Sequence, residues 1–133
     1  MNKYVKVTGD FGEKPQIEFL TDEVPDELIV ETLSEGKGVF IEPSQVVAFD
    51  YLGQIFGGKE FDNSFDRGKP LVTPIGVGHL IRGWDIGLLE QRVGSRVLLI
   101  IPPRLAYGEN GIPQAGIPGN STLVFVTDII SIM

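Results

Sequence analysis

The sequence predicts an α+β fold with a mainly antiparallel β-sheet, one principal helix and long turns. Seventeen Gly and nine Pro are spread between apolar runs, which indicates many short elements joined by tight turns. Only one segment has clear helical periodicity. The 133 residues, of which 42% are hydrophobic, suit one domain that buries a proper core.

The N-terminal part is predicted to hold two modest strands, an acidic connector and a third strand. The first two strands are KYVKV (residues 3–7) and PQIEF (15–19), separated by the turn-like TGDFGEK. The acidic connector is LTDEVPDE (20–27), and the third strand is LIVETL (28–33), which ends at the SEGKG turn.

The strand pattern becomes stronger from residue 46 onwards. VVAFDYLGQIF (46–56) is a long β-type run, and GGKE turns the chain back into FDNSFDRGKP. A further short strand is predicted at LVTPI (71–75).

The principal helix is predicted over LIRGWDIGLLEQR (80–92). Ile81, Trp84 and Leu88 recur there at helical spacing and line one apolar face. Two internal glycines each cost up to ~1 kcal/mol relative to alanine. Such a helix is marginal alone, so a sheet must pack against it.

Two strands and a long loop complete the chain. SRVLLIIPP (95–103) is predicted as a strand buried on both faces and stopped by a proline pair, and STLVFVTDIISI (121–132) as the longest strand. The loop AYGENGIPQAGIPGNS (106–121) is long for so small a domain. Its length favours a functional loop over a tolerated surface loop.

Charge and composition exclude several functional classes. The net charge is −7 and no basic stripe is visible, which argues against nucleic-acid and membrane-surface partners. There is no cysteine and only one histidine, so we expect no disulfide, thiol nucleophile or histidine metal cluster. No nucleophile elbow, phosphate-binding loop or dinucleotide-binding glycine pattern occurs. The sequence shows no signal peptide or spanning segment, which predicts a cytoplasmic protein, although a mature secreted domain would look the same.

Several aromatic and polar residues stand beside predicted turns. The aromatic ones are Tyr51, Phe61, Trp84, Tyr107 and Phe125. Core filling would explain any single one of them. Asp62 and Arg67 follow Phe61, and a surface ion pair worth ~0–1 kcal/mol would explain these two.

Three segments, taken in order, resemble the FKBP-type peptidyl-prolyl cis-trans isomerases. They are YLGQIFGGKEFDNSFDRGKP, HLIRGWDIGLLEQRVGSR and PPRLAYGENGIPQAGIPGNSTLVF. The resemblance covers residues 28–132 and implies a strongly twisted antiparallel sheet, or half-barrel, wrapped around one short helix. Residues 28–133 are then the isomerase domain. Residues 1–27 are an N-terminal extension with extra strands and the acidic connector.

The resemblance also implies an apolar pocket with Trp84 as its floor and Asp62 at its rim. The Tyr107 hydroxyl and the Ile81 main-chain N–H would donate to carbonyl groups of the substrate. It assigns catalytic roles to Tyr51, Phe61, Asp62, Trp84, Tyr107 and Phe125, and substrate or macrolide contacts to Arg67, Leu71, His79, Leu80, Ile81, Ile112 and Ile117.

Three of these positions differ from the best-known family members. Leu71 replaces a usual phenylalanine, His79 a common glutamate and Ile112 a frequent histidine. We expect these changes to affect macrolide affinity and substrate preference more than the reaction itself.

The implied activity is rotation of X-Pro peptide bonds during protein folding, with no cofactor or metal. The implied partners are proline-containing polypeptides and macrolides such as tacrolimus and rapamycin, and we expect a monomer. Two alternatives remain open. One is a non-catalytic module or chaperone that grips proline-containing segments, and the other is a structural β-rich domain whose aromatic residues are all core.

Overall fold

The computed structural model describes residues 2–133, which form one large antiparallel sheet, a separate hairpin and two short α-helices. The elements are β1 (Val5–Thr8), β2 (Gln16–Phe19), β3 (Ile29–Ser34), β4 (Val46–Ile55), β5 (Glu60–Asn63), α1 (Ser64–Arg67), β6 (Leu71–Pro74), α2 (Arg82–Gly87), β7 (Arg96–Ile101) and β8 (Leu123–Ile132). Two 3₁₀ turns, Pro103–Leu105 and Pro113–Ala115, lie between β7 and β8. The predicted α+β fold is confirmed.

The large sheet has the strand order β3-β7-β8-β4-β5, and β6 pairs with the first half of β4 on the same edge as β5. β1 and β2 pair only with each other, as an N-terminal hairpin. All of these pairings are antiparallel, as the sequence analysis predicts.

Strand β7 is buried on both faces, as the apolar run that follows Arg96 predicts. Val97, Leu99 and Ile101 belong to the core that contains Trp84 of α2. The alternate residues Leu98 and Ile100 belong to a second core, which the N-terminal hairpin covers with Val5 and its neighbours. The sheet therefore separates two apolar layers.

A buried ion pair fastens the hairpin to the sheet. Arg96 and Asp128 are 2% and 1% exposed and contact each other through two bonds of 2.6 and 2.8 Å. The remaining guanidinium donors reach the carbonyl oxygens of Gly9 and Glu13, while the Gly12 N–H donates to Asp128. These bonds satisfy the buried charges and fix the β1–β2 loop.

Helix α2 is shorter than the sequence predicts, so the prediction of a helix over residues 80–92 is wrong at both ends. Ile81 has an extended backbone and only caps the helix. Beyond the helix, the Glu90 N–H donates to the Ile41 carbonyl and the Ile41 N–H donates to the Gln91 carbonyl. Glu90 also has a φ of 67°, which is not helical. These backbone groups pair with a segment some fifty residues away instead of continuing the helix.

The two glycines inside α2 allow it to approach β7 closely. A Cβ atom on Gly83 would lie 2.5 Å from a methyl carbon of Ile101, and one on Gly87 would lie 2.5 Å from a methyl carbon of Leu99. Glycine lowers the helix propensity at both positions. The close packing of α2 on the sheet nevertheless requires it, because a larger residue would not fit.

The segment FDNSFDRGKP contains an additional one-turn helix, α1, that we did not predict. The Asn63 side chain accepts from the Asp66 N–H at its start, and Gly68 ends it with a φ of 68°. A capping residue followed by a glycine just past the end was the available signal.

Among residues 2–133, no helix is long and apolar enough to cross a membrane.

Candidate active site

A cavity of about 340 Å³ lies beside α2 on the helix-covered face of the sheet. Strands β4, β5, β6 and β8, the loop before α2, α2 itself and the loop after β7 all contribute to its wall. The lining residues are Tyr51, Phe61, Asp62, Leu71, His79, Leu80, Ile81, Trp84, Tyr107 and Phe125.

Trp84 forms the base of this cavity and belongs to the core at the same time. Its side chain is 3% exposed, because the rings of Phe49, Tyr51 and Phe125 pack against it at 5.4 Å with steep interplanar angles. The indole N–H has no oxygen or nitrogen partner among residues 2–133.

Gly53 brings two aromatic walls together. Phe61 and Phe125 meet edge to face at 5.6 Å, and a Cβ atom on Gly53 would lie within 2.8 Å of both rings. Sequence reasoning missed this residue. A glycine inside a strand was the only signal, since such glycines often mark a close approach.

Three polar side chains are linked at the rim. The Tyr51 hydroxyl donates to Asp62 and accepts from Arg67 at 3.2 Å, while Arg67 donates to the other Asp62 oxygen at 2.5 Å. Burial raises the pKa of the Tyr51 hydroxyl, and its hydrogen bond to the Asp62 carboxylate raises that pKa further. The trio is therefore an ordered, charge-balanced edge to the cavity.

Two hydrogen-bond donors of the wall have no protein partner among residues 2–133. One is the half-buried Tyr107 hydroxyl, whose pKa is raised by burial and then by the nearby Asp62 charge. The other is the main-chain N–H of Ile81, whose carbonyl accepts from the Trp84 and Asp85 N–H groups. Both donors are available to an acceptor in the cavity.

Asp85 fixes the loop that carries one side of the wall. Its carboxylate accepts from the N–H groups of Gly76 and Gly78 at 2.7 and 2.9 Å. These glycines have φ angles of 77° and 85°, in the left-handed region that favours glycine. The same side chain thus ties this loop to α2, a role that sequence reasoning did not assign.

The structure brings together ten of the thirteen predicted site residues. Arg67 does not line the cavity but reaches it through Asp62 and Tyr51. Ile112 and Ile117 form a small bridge with each other in the loop, and Ile117 is buried in the core. Neither isoleucine lines the cavity.

Residues 2–133 bring no three His, Asp or Glu side chains close enough to hold a metal ion. The polar groups of the cavity are the His79 side chain, the linked rim, and the two donors without a partner among residues 2–133. Together with the aromatic wall, they form a site whose shape and donors suit an apolar ring with carbonyl oxygens beside it.

Comparison with known proteins names the family that has this fold and site. The model described as FKBP-type peptidyl-prolyl cis-trans isomerase matches residues 37–130, and the chain belongs to this family of enzymes. Residues 2–36 and 131–133 lie outside the matched range.

Individual relatives agree with this assignment. The chain is 40% identical over 121 residues to an FK506-binding protein of Streptomyces anulatus, covering 90% of this chain and 98% of that one. It is 46% identical over 104 residues to FK506-binding protein 1 of Debaryomyces hansenii, covering 77% and 92%. The crystal structure of AtFKBP13 aligns with a TM-score of 0.75 at 36% identity, covering 83% of this chain and 96% of that one.

Proposed function

We propose that the cavity encloses the proline ring of a polypeptide and accelerates rotation of the preceding X-Pro bond. The observation that carries this proposal is the pair of unpaired donors, the Tyr107 hydroxyl and the Ile81 N–H, beside an aromatic wall. A peptide backbone on either side of proline supplies the carbonyl acceptors that these donors lack.

The reaction needs no bond cleavage. Rotation about the X-Pro amide loses resonance and crosses a barrier of ~18–20 kcal/mol, so the unaided step takes tens to hundreds of seconds. Water stabilises the planar, charge-separated amide more than the twisted one. An aromatic cavity removes that difference, and each ~1.4 kcal/mol taken off the barrier gives a tenfold rate increase.

The wall selects the twisted amide by its shape and its donors. Only contacts that are stronger in the transition state than in the ground state accelerate the step. Trp84 at the base supports the proline ring, while Tyr107 and Ile81 hold carbonyl oxygens that change direction as the bond turns. A few contacts of this kind suffice.

Asp62 has no proton to transfer in this mechanism. Its carboxylate is held by the Tyr51 hydroxyl and the Arg67 guanidinium. We assign it the role of shaping the electric field at the rim and of fixing Tyr51.

We extend the proposal to macrolide binding, because two relatives of this chain are named as FK506-binding proteins. The aromatic base and the donors would receive tacrolimus or rapamycin in place of a prolyl peptide. Leu71 and His79 line the cavity where their side chains would contact such a ligand. A role for Ile112 and Ile117 in ligand contact remains a prediction, as do the monomeric state and the cytoplasmic location.

Turnover is tested by a protease-coupled proline-peptide assay or by refolding of a protein limited by proline isomerisation. We expect acceleration by the wild-type protein and a large loss of it in Tyr107→Phe combined with Asp62→Ala. Tyr4→Phe combined with Asp22→Ala, two changes outside the cavity, is the matched control.

A second measurement separates the proposal from its alternative. Trp84 is the only tryptophan, so its fluorescence reports directly on rapamycin entering the cavity. A fluorescence response without turnover would favour a non-catalytic module that binds proline-containing segments. Absence of both would contradict the proposed function.

A further inference from the structure

Lys14 lies ahead of residue 37, where the match to the family model begins, and it contacts the elements that carry the rim. Its ammonium group lies 2.8 Å from an Asp66 oxygen and 3.4 Å from a Glu60 oxygen. Glu60 begins β5, which carries Asp62, and Asp66 lies in α1, which carries Arg67. One lysine thus bridges the two short elements whose side chains pair at the cavity.

The position of Lys14 is fixed by its neighbours in the chain. The carbonyl oxygen of Glu13 accepts from the buried Arg96, and Pro15 is buried on the other side. An exposed ion pair usually contributes little because two long side chains must be ordered to form it. Here the backbone of one partner is already held, so less freedom is lost.

Lys14 balances the negative charge of the two carboxylates that it contacts. The Asn63 amide donates to both Glu60 and Asp66, which places two negative groups around one neutral donor. Lys14 supplies the only positive charge within ion-pair distance of either carboxylate among the described residues. Its hydrogen bond lowers the pKa of Asp66.

We infer that Lys14 is a positioning residue for the isomerase rim, holding β5 against α1 and so setting the geometry of the Asp62–Arg67 pair. The N-terminal segment is then part of the substrate-binding unit. The buried Arg96–Asp128 ion pair holds the β1–β2 loop, and with it Lys14, beside the rim. This inference rests on the proposed function of the cavity.

The test compares Lys14→Met with Lys59→Met in the full chain. Methionine keeps most of the aliphatic stem and removes the charge, and Lys59 is an exposed lysine near β5 with no ion pair among residues 2–133. For Lys14→Met we expect KM for a proline peptide to rise roughly threefold at low salt, with kcat changed less. Lys59→Met, with the same change in net charge, should leave KM unchanged, and Lys14→Arg should restore it.

Two further readouts separate positioning from a general loss of stability. The side-chain Nε–H signal of Arg67 in a nitrogen-edited NMR spectrum should shift in Lys14→Met and stay in place in Lys59→Met. The difference in KM should also shrink at about 1 M salt, where the Debye length falls to about 3 Å.

An unchanged KM and an unchanged Arg67 signal in Lys14→Met would overturn the inference, as would equal effects in the two variants. A wild-type protein without isomerase activity would instead contradict the proposed function. In that case the Arg67 signal alone would decide whether Lys14 positions the rim.

Discussion

At the scale of single residues, Trp84 and Asp62 contribute to the site in different ways. Trp84 is 3% exposed and contacts three aromatic rings. Asp62 is 40% exposed and pairs with side chains at the rim. The contribution of Trp84 therefore comes mainly from packing, and that of Asp62 from polar contacts at the rim.

We expect Trp84→Ala to damage both folding and activity, and Asp62→Ala to lower mainly activity. Truncating a buried tryptophan costs about 3–5 kcal/mol, whereas an exposed pair contributes ~0–1 kcal/mol. Urea unfolding followed by the proline-peptide assay checks both variants. Unchanged turnover in Asp62→Ala would remove that residue from the site.

We expect Thr127→Val to stabilise the protein by about 1 kcal/mol, because its buried hydroxyl has no hydrogen-bond partner among the described residues. Thr127 lies opposite Val97 in the sheet, and Val97 is also fully buried. The reverse change, Val97→Thr, is the matched control and should destabilise. A lower urea midpoint for Thr127→Val would show that its hydroxyl is satisfied in solution.

Family resemblance was sufficient to find the aromatic and polar residues of the cavity, because the chemistry of each side chain is visible in the sequence. It did not find Gly53 or Asp85. The role of Gly53 depends on two rings from other strands, and that of Asp85 on the backbone of a neighbouring loop. Neither relation is local in sequence.

At the scale of elements, α2 illustrates how packing can oppose local propensity. Alanine is the better helix former at an exposed position by about 1 kcal/mol. At Gly83, however, an added methyl group would meet Ile101 at 2.5 Å.

We therefore expect Gly83→Ala to destabilise the protein by about 1–3 kcal/mol, the usual cost of overpacking. Ile86→Ala on the same helix is the control, since Ile86 is 50% exposed and its truncation should have a small effect. Thermal unfolding measures both. A Gly83→Ala variant at least as stable as wild type would contradict the close approach of α2 and β7.

The strands were easier to predict than the ends of the helix. In β7 the five apolar residues after Arg96 indicate burial on both faces, and all of them are buried in the structure. The end of α2 depends on hydrogen bonds between Glu90, Gln91 and Ile41. The spacing of apolar residues within 80–92 carries no information about Ile41, which lies about fifty residues earlier in the chain.

At the scale of the whole molecule, the raised pKa values of two tyrosines in the cavity wall predict how stability changes at alkaline pH. The pKa values of Tyr51 and Tyr107 are raised above the ordinary value of 10.0, with burial as the largest cause. Above that pH the unfolded chain releases protons that the folded chain retains, so the free energy of unfolding falls as pH rises. The contribution is fully present below pH 10 and is lost as pH passes through the folded-state values.

We expect the urea midpoint to be lower at about pH 10.5 than at pH 8, and Tyr107→Phe to reduce that difference. Tyr4→Phe, which lies outside the cavity, serves as the comparison. A midpoint that rises over this interval would contradict the assigned direction of the shifts.

The separation of two apolar layers by one sheet has a consequence for engineering this molecule. Replacements under the N-terminal hairpin, among side chains such as Leu98 and Val126, alter a layer that has no part in the cavity. Replacements in this layer that leave Lys14 and the β1–β2 loop in place can raise heat resistance with less of the usual trade against catalytic speed. The hairpin-covered face of the sheet is accordingly where directed evolution of a more heat-resistant variant should begin.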